Sequence, residues 1–123
     1  MTQFADDATQ PCLPRSYLRP CLLLLLAEGG SHGYEMLDEV HALGLSGADT
    51  GGLYRTLRGM ERDGFVRSWW EPSQSGPARR TYELTEVGEV ELRLTMAAMA
   101  STHRLLGDVL QRHDAARHER QLP

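Results

Sequence analysis

Apolar positions change period along this chain, and glycine and proline mark the changes. Residues 17–28 are almost continuously apolar around Leu22 to Leu26. That predicts a first helix buried on most sides, with Ser16 as its cap, Pro20 in its first turn and Gly29-Gly30 as its stop. Residues 31–43 carry Tyr34, Leu37, Val40 and Ala42-Leu43 close to the spacing of one helical face. This predicts a second helix beginning at Ser31, with Tyr34 packed against the first. Asp49 then offers an N-cap for a third helix running to Asp63, and Gly64 its stop.

Past Gly64 the composition becomes that of strands. Residues 65–70 (Phe65 to Trp70) and Arg79 to Leu84 flank a turn cluster at residues 72–77, which predicts a hairpin with a long loop. In a regular strand only one of the adjacent tryptophans points inward. Trp70 shares a face with Val66, so Trp70 is expected inside and Trp69 more exposed. Thr85 opens a long last helix over residues 86–113, with Glu86 and Glu89 favourably placed against the helix dipole.

Three helices, a hairpin and one long helix describe a mainly α fold with a small β-hairpin. The order is that of a winged helix-turn-helix plus a long C-terminal helix, although other α+β domains share it. The organisation expected is a flexible polar arm at 1–15, a winged helix-turn-helix domain at 16–85, a dimerisation helix at 86–113 and a fraying polar tail at 114–123.

The third helix carries the main functional signal. At about 100° per residue, Leu57 and Met60 fall within about 40° of Leu53, whereas Arg55, Arg58 and Arg62 lie about 140–200° from it. One face can pack on the domain while the other enters a major groove. Thr50, Gly51 and Gly52 open this helix, and their amides can approach a phosphate closely. Tyr54 lies beside the arginine stripe, within reach of a phosphate or a thymine methyl. The alternative is a solvated face whose arginines pair with Glu61 and Asp63.

Charge distribution favours DNA despite a net charge of −4. All thirteen basic residues are arginine, the cation best matched to phosphate and guanine. From Leu53 to Tyr82 there are six arginines against three acids. Arg79 and Arg80 follow Gly76-Pro77 at the hairpin tip, where a wing needs to meet a sugar–phosphate backbone.

Along the last helix, Leu92, Met96, Met99, His103, Leu106, Leu110 and His113 alternate at spacings of four and three. That is a heptad seam, read as a contact between two copies of the chain; the alternative is packing on its own domain. His103 within the seam could tune that contact with pH. Trp69, Trp70, Met96 and Met99 are candidate walls for a small aromatic or apolar effector bound between subunits, or plain core.

Other chemistries find less support. Five scattered histidines and no nucleophile–base pattern argue against an enzyme. Cys21, His32 and His41 fit no strong zinc spacing, and no cofactor motif is present. Cys12 and Cys21 suit a reducing cytosol, which places the chain in the cytoplasm; a redox or intersubunit role is the other reading. The leucine run is too short to span a membrane, and the polar, acidic leader before it does not resemble a signal peptide.

The segments LLLLLAEGGSHG at residues 22–33, DTGGLYRTL at 49–57, ERDGF at 61–65 and SGPARRTYELT at 75–85 together resemble the PadR family of bacterial transcriptional regulators, in its short form with one C-terminal helix. Arg19-Pro20-Cys21 with the leucine run is also similar to a subgroup of poly-β-hydroxybutyrate-responsive repressors. The resemblance implies a homodimeric repressor on a pseudo-palindromic double-stranded operator, with the last helix as the dimer contact. It also implies that Tyr54, Arg55 and Arg58 lie on the reading helix and Gly76, Pro77, Arg79 and Arg80 on the wing. His32, Gly33 and Tyr34 match its helix-start motif. Where the family usually has proline and then Gly-Thr, this chain has Thr50-Gly51-Gly52, which loses a hydroxyl suited to phosphate. A protein-interaction module and a metal-responsive sensor are the alternative functions.

Overall fold

The computed structural model describes residues 12–29 and 32–121. Among these are four α-helices and one two-stranded antiparallel sheet: α1 Leu18–Ala27, α2 Gly33–Ala42, α3 Thr50–Arg62, β1 Val66–Glu71, β2 Arg79–Leu84 and α4 Glu86–Gln121. The chain divides into two compact units, the first ending at Leu92. Most of the expected arm, the Ser31 start of the second helix and the last two residues of the tail lie outside the described residues.

Core formation in the first unit follows from α1. Leu18, Cys21, Leu22, Leu23, Leu25 and Leu26 are all buried, as an almost continuous apolar run requires. A 3-10 turn at Arg15–Tyr17 leads into this helix, and no side chain caps it. Ser16 is therefore part of the lead-in turn rather than the cap. Pro20 costs little because the first-turn amides have no intrahelical acceptor anyway. No described helix is long and apolar enough to cross a membrane.

Helix α2 buries Gly33, Met36 and Val40, with Leu37 packed at the edge. These positions are spaced 0, 3, 7 and 4 along one face. Tyr34 is instead 54% exposed and does not pack inward as expected. The face is turned because Gly33 has no side chain: a Cβ there would lie 2.6 Å from the Tyr54 ring. The close approach of α3 fixes which side of α2 faces the core.

The hairpin pairs Val66 with Leu84 and, at its far end, Glu71 with Arg79. Val66 and Tyr82 are buried at its base. His32 adds an isolated antiparallel bridge to Thr81, so the start of α2 is tied to β2. Thr85 ends the hairpin by accepting from the Gly88 amide at 3.0 Å, which caps α4. Phe65 and Leu92 pack against the same core.

The second unit, from Arg93, is helical through Gln121. The segment after Asp114, expected to fray, therefore continues the helix. Leu94, Leu105, Leu106, Val109 and Leu110 are exposed along it.

Candidate nucleic-acid interface

Local chemistry sets the start and rotation of α3. Asp49 Oδ1 accepts from the Gly52 amide at 2.7 Å, an N-cap of the expected kind. A Cβ at position 52 would lie 2.8 Å from that oxygen. The second glycine thus leaves room for the capping carboxylate, and its amide is committed to Asp49. Thr50 and Gly51 are exposed at the same helix start.

Downstream, Leu53, Leu57 and Met60 are wholly buried, while Arg55, Arg58 and Arg62 are exposed. The division between apolar and cationic faces is the one the periodicity predicts. The acids expected as alternative partners are engaged elsewhere. Glu61 accepts from Ser68 Oγ at 2.8 Å, and Asp63 pairs with Arg19. Among the described residues no ion pair engages Arg55, Arg58 or Arg62.

Wing chemistry is more varied. Gly76 is exposed at the hairpin loop. Arg79 donates from Nη1 to the Tyr34 hydroxyl at 2.7 Å. Arg80 lies over the Trp70 ring, 5.2 Å from its centroid. Arg67, counted in the positive cluster, is neutralised by Glu83.

Tyr54 lies less freely beside the arginines than expected. Its ring rests on Gly33, and it lines a recess of about 450 Å³ between α3 and the hairpin. Tyr82 borders the same recess, and burial pushes its phenol up, with Tyr54 adding to the effect. A second trough of about 460 Å³ runs along the other edge of α3, where Arg15 and Arg19 join Arg55 and Arg62. The sequence reading missed these two arginines. They precede α3 by more than thirty residues, so no local spacing could place them beside it.

The tryptophan expectation is corrected. Trp70 is 63% exposed and Trp69 40%. Trp70 does share a strand face with Val66, but it borders the open recess beside Tyr54 and Arg58 and is not part of the core. Trp69 borders a different recess, of about 410 Å³, beside Leu26 and Leu84. The two rings therefore line separate spaces. Met96 and Met99 lie on the helix of the second unit and are half-buried there.

The residues considered for a metal are dispersed in role. Cys21 is buried in the core, where burial pushes its thiol up. His41 Nε2 lies 2.7 Å from the Ala48 carbonyl oxygen. His32 faces Glu35 and Glu71, each at 3.7 Å. Among the described residues no group of three or more metal-ligating side chains is gathered as a site.

A model of the Transcriptional regulator PadR-like family matches residues 22–94, from the leucine run through the hairpin into α4. The chain belongs to the PadR-like family of transcriptional regulators. Among solved structures it is similar to a conserved protein of unknown function described as a potential transcriptional factor, with 28% identity and a TM-score of 0.72 over 83% of this chain and 91% of that one. The fold is also shared with a PadR-like transcriptional regulator from Bacillus cereus, at 22% identity and a TM-score of 0.72 over 79% of this chain and 94% of that one. A PadR family transcription regulator from Clostridium difficile R20291 has 23% identity and a TM-score of 0.69, covering 76% of this chain and 98% of that one. No curated protein matches the chain. Membership makes this PadR-family chain a DNA-binding regulator of transcription rather than an enzyme.

Proposed function

We propose that the chain is a repressor that binds a pseudo-palindromic operator as a homodimer, with α3 in the major groove and the hairpin on the adjoining backbone. The observation that carries this reading is the stripe of Arg55, Arg58 and Arg62, exposed while nearby Glu61 and Asp63 are occupied by Ser68 and Arg19. Cations that no ion pair engages among the described residues, on one side of a helix, suit phosphates and base edges. Arg79 and Arg80 supply the wing contact, with Gly76 at its turn. Thr50, Gly51, Gly52 and Tyr54 approach the backbone at the start of α3.

Dimerisation through α4 is supported by its exposed Leu106 and Leu110 within the heptad seam of Leu92, Met96, Met99 and His103. Two copies would set two α3 helices in successive major grooves about one DNA turn apart. Repression then follows by occlusion. An effector changing the distance or angle between the two helices would relieve it. The setting is the cytoplasm, where the free thiols of Cys12 and Cys21 are at home.

The deciding experiment is a gel shift on the DNA just upstream of the protein's own gene. The wild-type chain is expected to shift it, and the Arg55→Ala/Arg58→Ala double variant to lose the shift while keeping its helical circular dichroism. Unchanged affinity in the double variant would remove the arginine stripe from the mechanism and favour a protein-interaction module.

A further inference from the structure

The recess between α3 and the hairpin has more in it than a phosphate backbone needs. Its volume of about 450 Å³ falls within the range of small-molecule sites. Ring faces and guanidinium groups share its walls. Tyr34 comes from the first turn of α2, Arg58 and Glu61 from α3, Trp70 from β1, and Arg79 and Arg80 from β2. Four elements, two helices and both strands of the hairpin, thus converge on one space.

Its polar groups are already oriented. Arg79 is held by the Tyr34 hydroxyl, and Arg80 lies on the Trp70 indole. The Glu61 carboxylate is directed at Ser68. Three guanidinium groups against one carboxylate leave a formal excess of two positive charges among the arginines and acids that line the recess. A dianion balances that excess. Trp70, with 63% of its surface in water, offers a large flat ring that a second planar group would cover.

We propose that this recess binds a free nucleotide, with its base stacked on Trp70 beside Tyr34 and its phosphate held by Arg58 and Arg79. Aromatic side chains and arginine planes are the usual platforms for an unpaired base. Arginine pairs with phosphate through two parallel hydrogen bonds. A small aromatic acid would satisfy the rings but leave much of the volume and one positive charge unmatched. Base, sugar and phosphate together match all three features. Arg58 and Arg79 are also cations assigned to the operator, so a bound nucleotide competes with DNA. That consequence rests on the DNA-binding reading; the binding itself does not.

The test is calorimetric titration of the full chain with adenosine and guanosine 5′-monophosphates, with adenosine, inorganic phosphate and a short single-stranded oligonucleotide as comparisons. At least one monophosphate is expected to bind once per chain, with adenosine and inorganic phosphate each weaker by about tenfold or more. Trp70→Leu and Arg58→Ala should each weaken the monophosphate by about tenfold, and Trp70→Phe, which keeps a ring, by less. Circular dichroism confirms that each variant is folded. No heat with either monophosphate up to about 1 mM overturns the proposal, as does binding of the oligonucleotide alone, which would make the recess a seat for a DNA strand. Equal binding by wild type and Trp70→Leu also overturns it.

A gel shift with added monophosphate separates the two readings. Loss of the operator complex supports competition at the shared arginines. A complex indifferent to saturating nucleotide overturns the placement on Arg58 and Arg79. Absence of any operator complex counts against the DNA reading, and calorimetry then decides the nucleotide site independently.

Discussion

Gly88, in the first turn of α4, sits against the carbonyl of Phe65 so closely that a Cβ would lie 2.0 Å from the oxygen. The obstacle is backbone, which cannot swing aside as a side chain can. Gly88→Ala gains about 1 kcal/mol of helix propensity but forces α4 away from the turn before β1. Overpacking of this kind costs about 1–3 kcal/mol and sometimes more. A net loss of about 1 kcal/mol is expected, read from urea denaturation. A variant as stable as wild type would show that α4 is not seated on Phe65.

Removing the α3 cap has a smaller effect. Asp49→Ala takes away the oxygen that receives the Gly52 amide, and loss of such a cap costs about 1 kcal/mol. Asp49→Asn should restore most of it, because an amide oxygen also caps. The expected signature is a lower denaturation midpoint with an unchanged slope.

Salt dependence should distinguish cations that meet phosphate from those that do not. Arg79→Ala is expected to reduce the slope of log affinity against log salt by about one. Arg67→Ala, whose guanidinium is occupied by Glu83, should leave the slope unchanged. Affinities measured across a salt series with one operator fragment check both.

Oligomeric state depends on the exposed leucines of α4. Leu106→Glu with Leu110→Glu places two carboxylates in the proposed seam, where burial of unpaired charge is unfavourable. A change from dimer to monomer in sedimentation equilibrium is expected, with the helical signal largely kept. A variant that remains dimeric would place the contact elsewhere.

Alkaline pH should weaken the fold through two groups. Burial pushes the Cys21 thiol above its ordinary 9.0 and the Tyr82 phenol above its ordinary 10.0. Both are acids favoured in their neutral form by the folded chain. Below pH 9 the folded and unfolded states hold these protons equally, and the full contribution is present. As pH rises further, the unfolded chain releases them first and stability falls. The urea midpoint should therefore decline from about pH 9 upward. Cys21→Ala should delay the start of that decline while lowering stability at neutral pH by leaving a cavity.

Much of this was legible because helix periodicity is local. Leu53, Leu57 and Met60 against Arg55, Arg58 and Arg62 can be read from spacing alone, since 3.6 residues per turn decides which side chains share a face. Asp49 and Thr85 announced their helices for a similar reason: a cap is a contact across three residues. The strand boundaries and the antiparallel pairing were equally near to hand.

Tertiary structure decided what those faces meet. Period-two alternation put Trp70 on the face of Val66, but only the packing of the helices against the hairpin determined that Trp70 borders an open recess and not the core. The rotation of α2, and with it the exposure of Tyr34, depends on Tyr54 resting where Gly33 has no side chain. Whether the stripe kept its charge depended on Glu61 turning to Ser68 and Asp63 to Arg19, contacts between distant segments. Local spacing determines direction, whereas the partner in that direction comes from packing between elements remote in sequence.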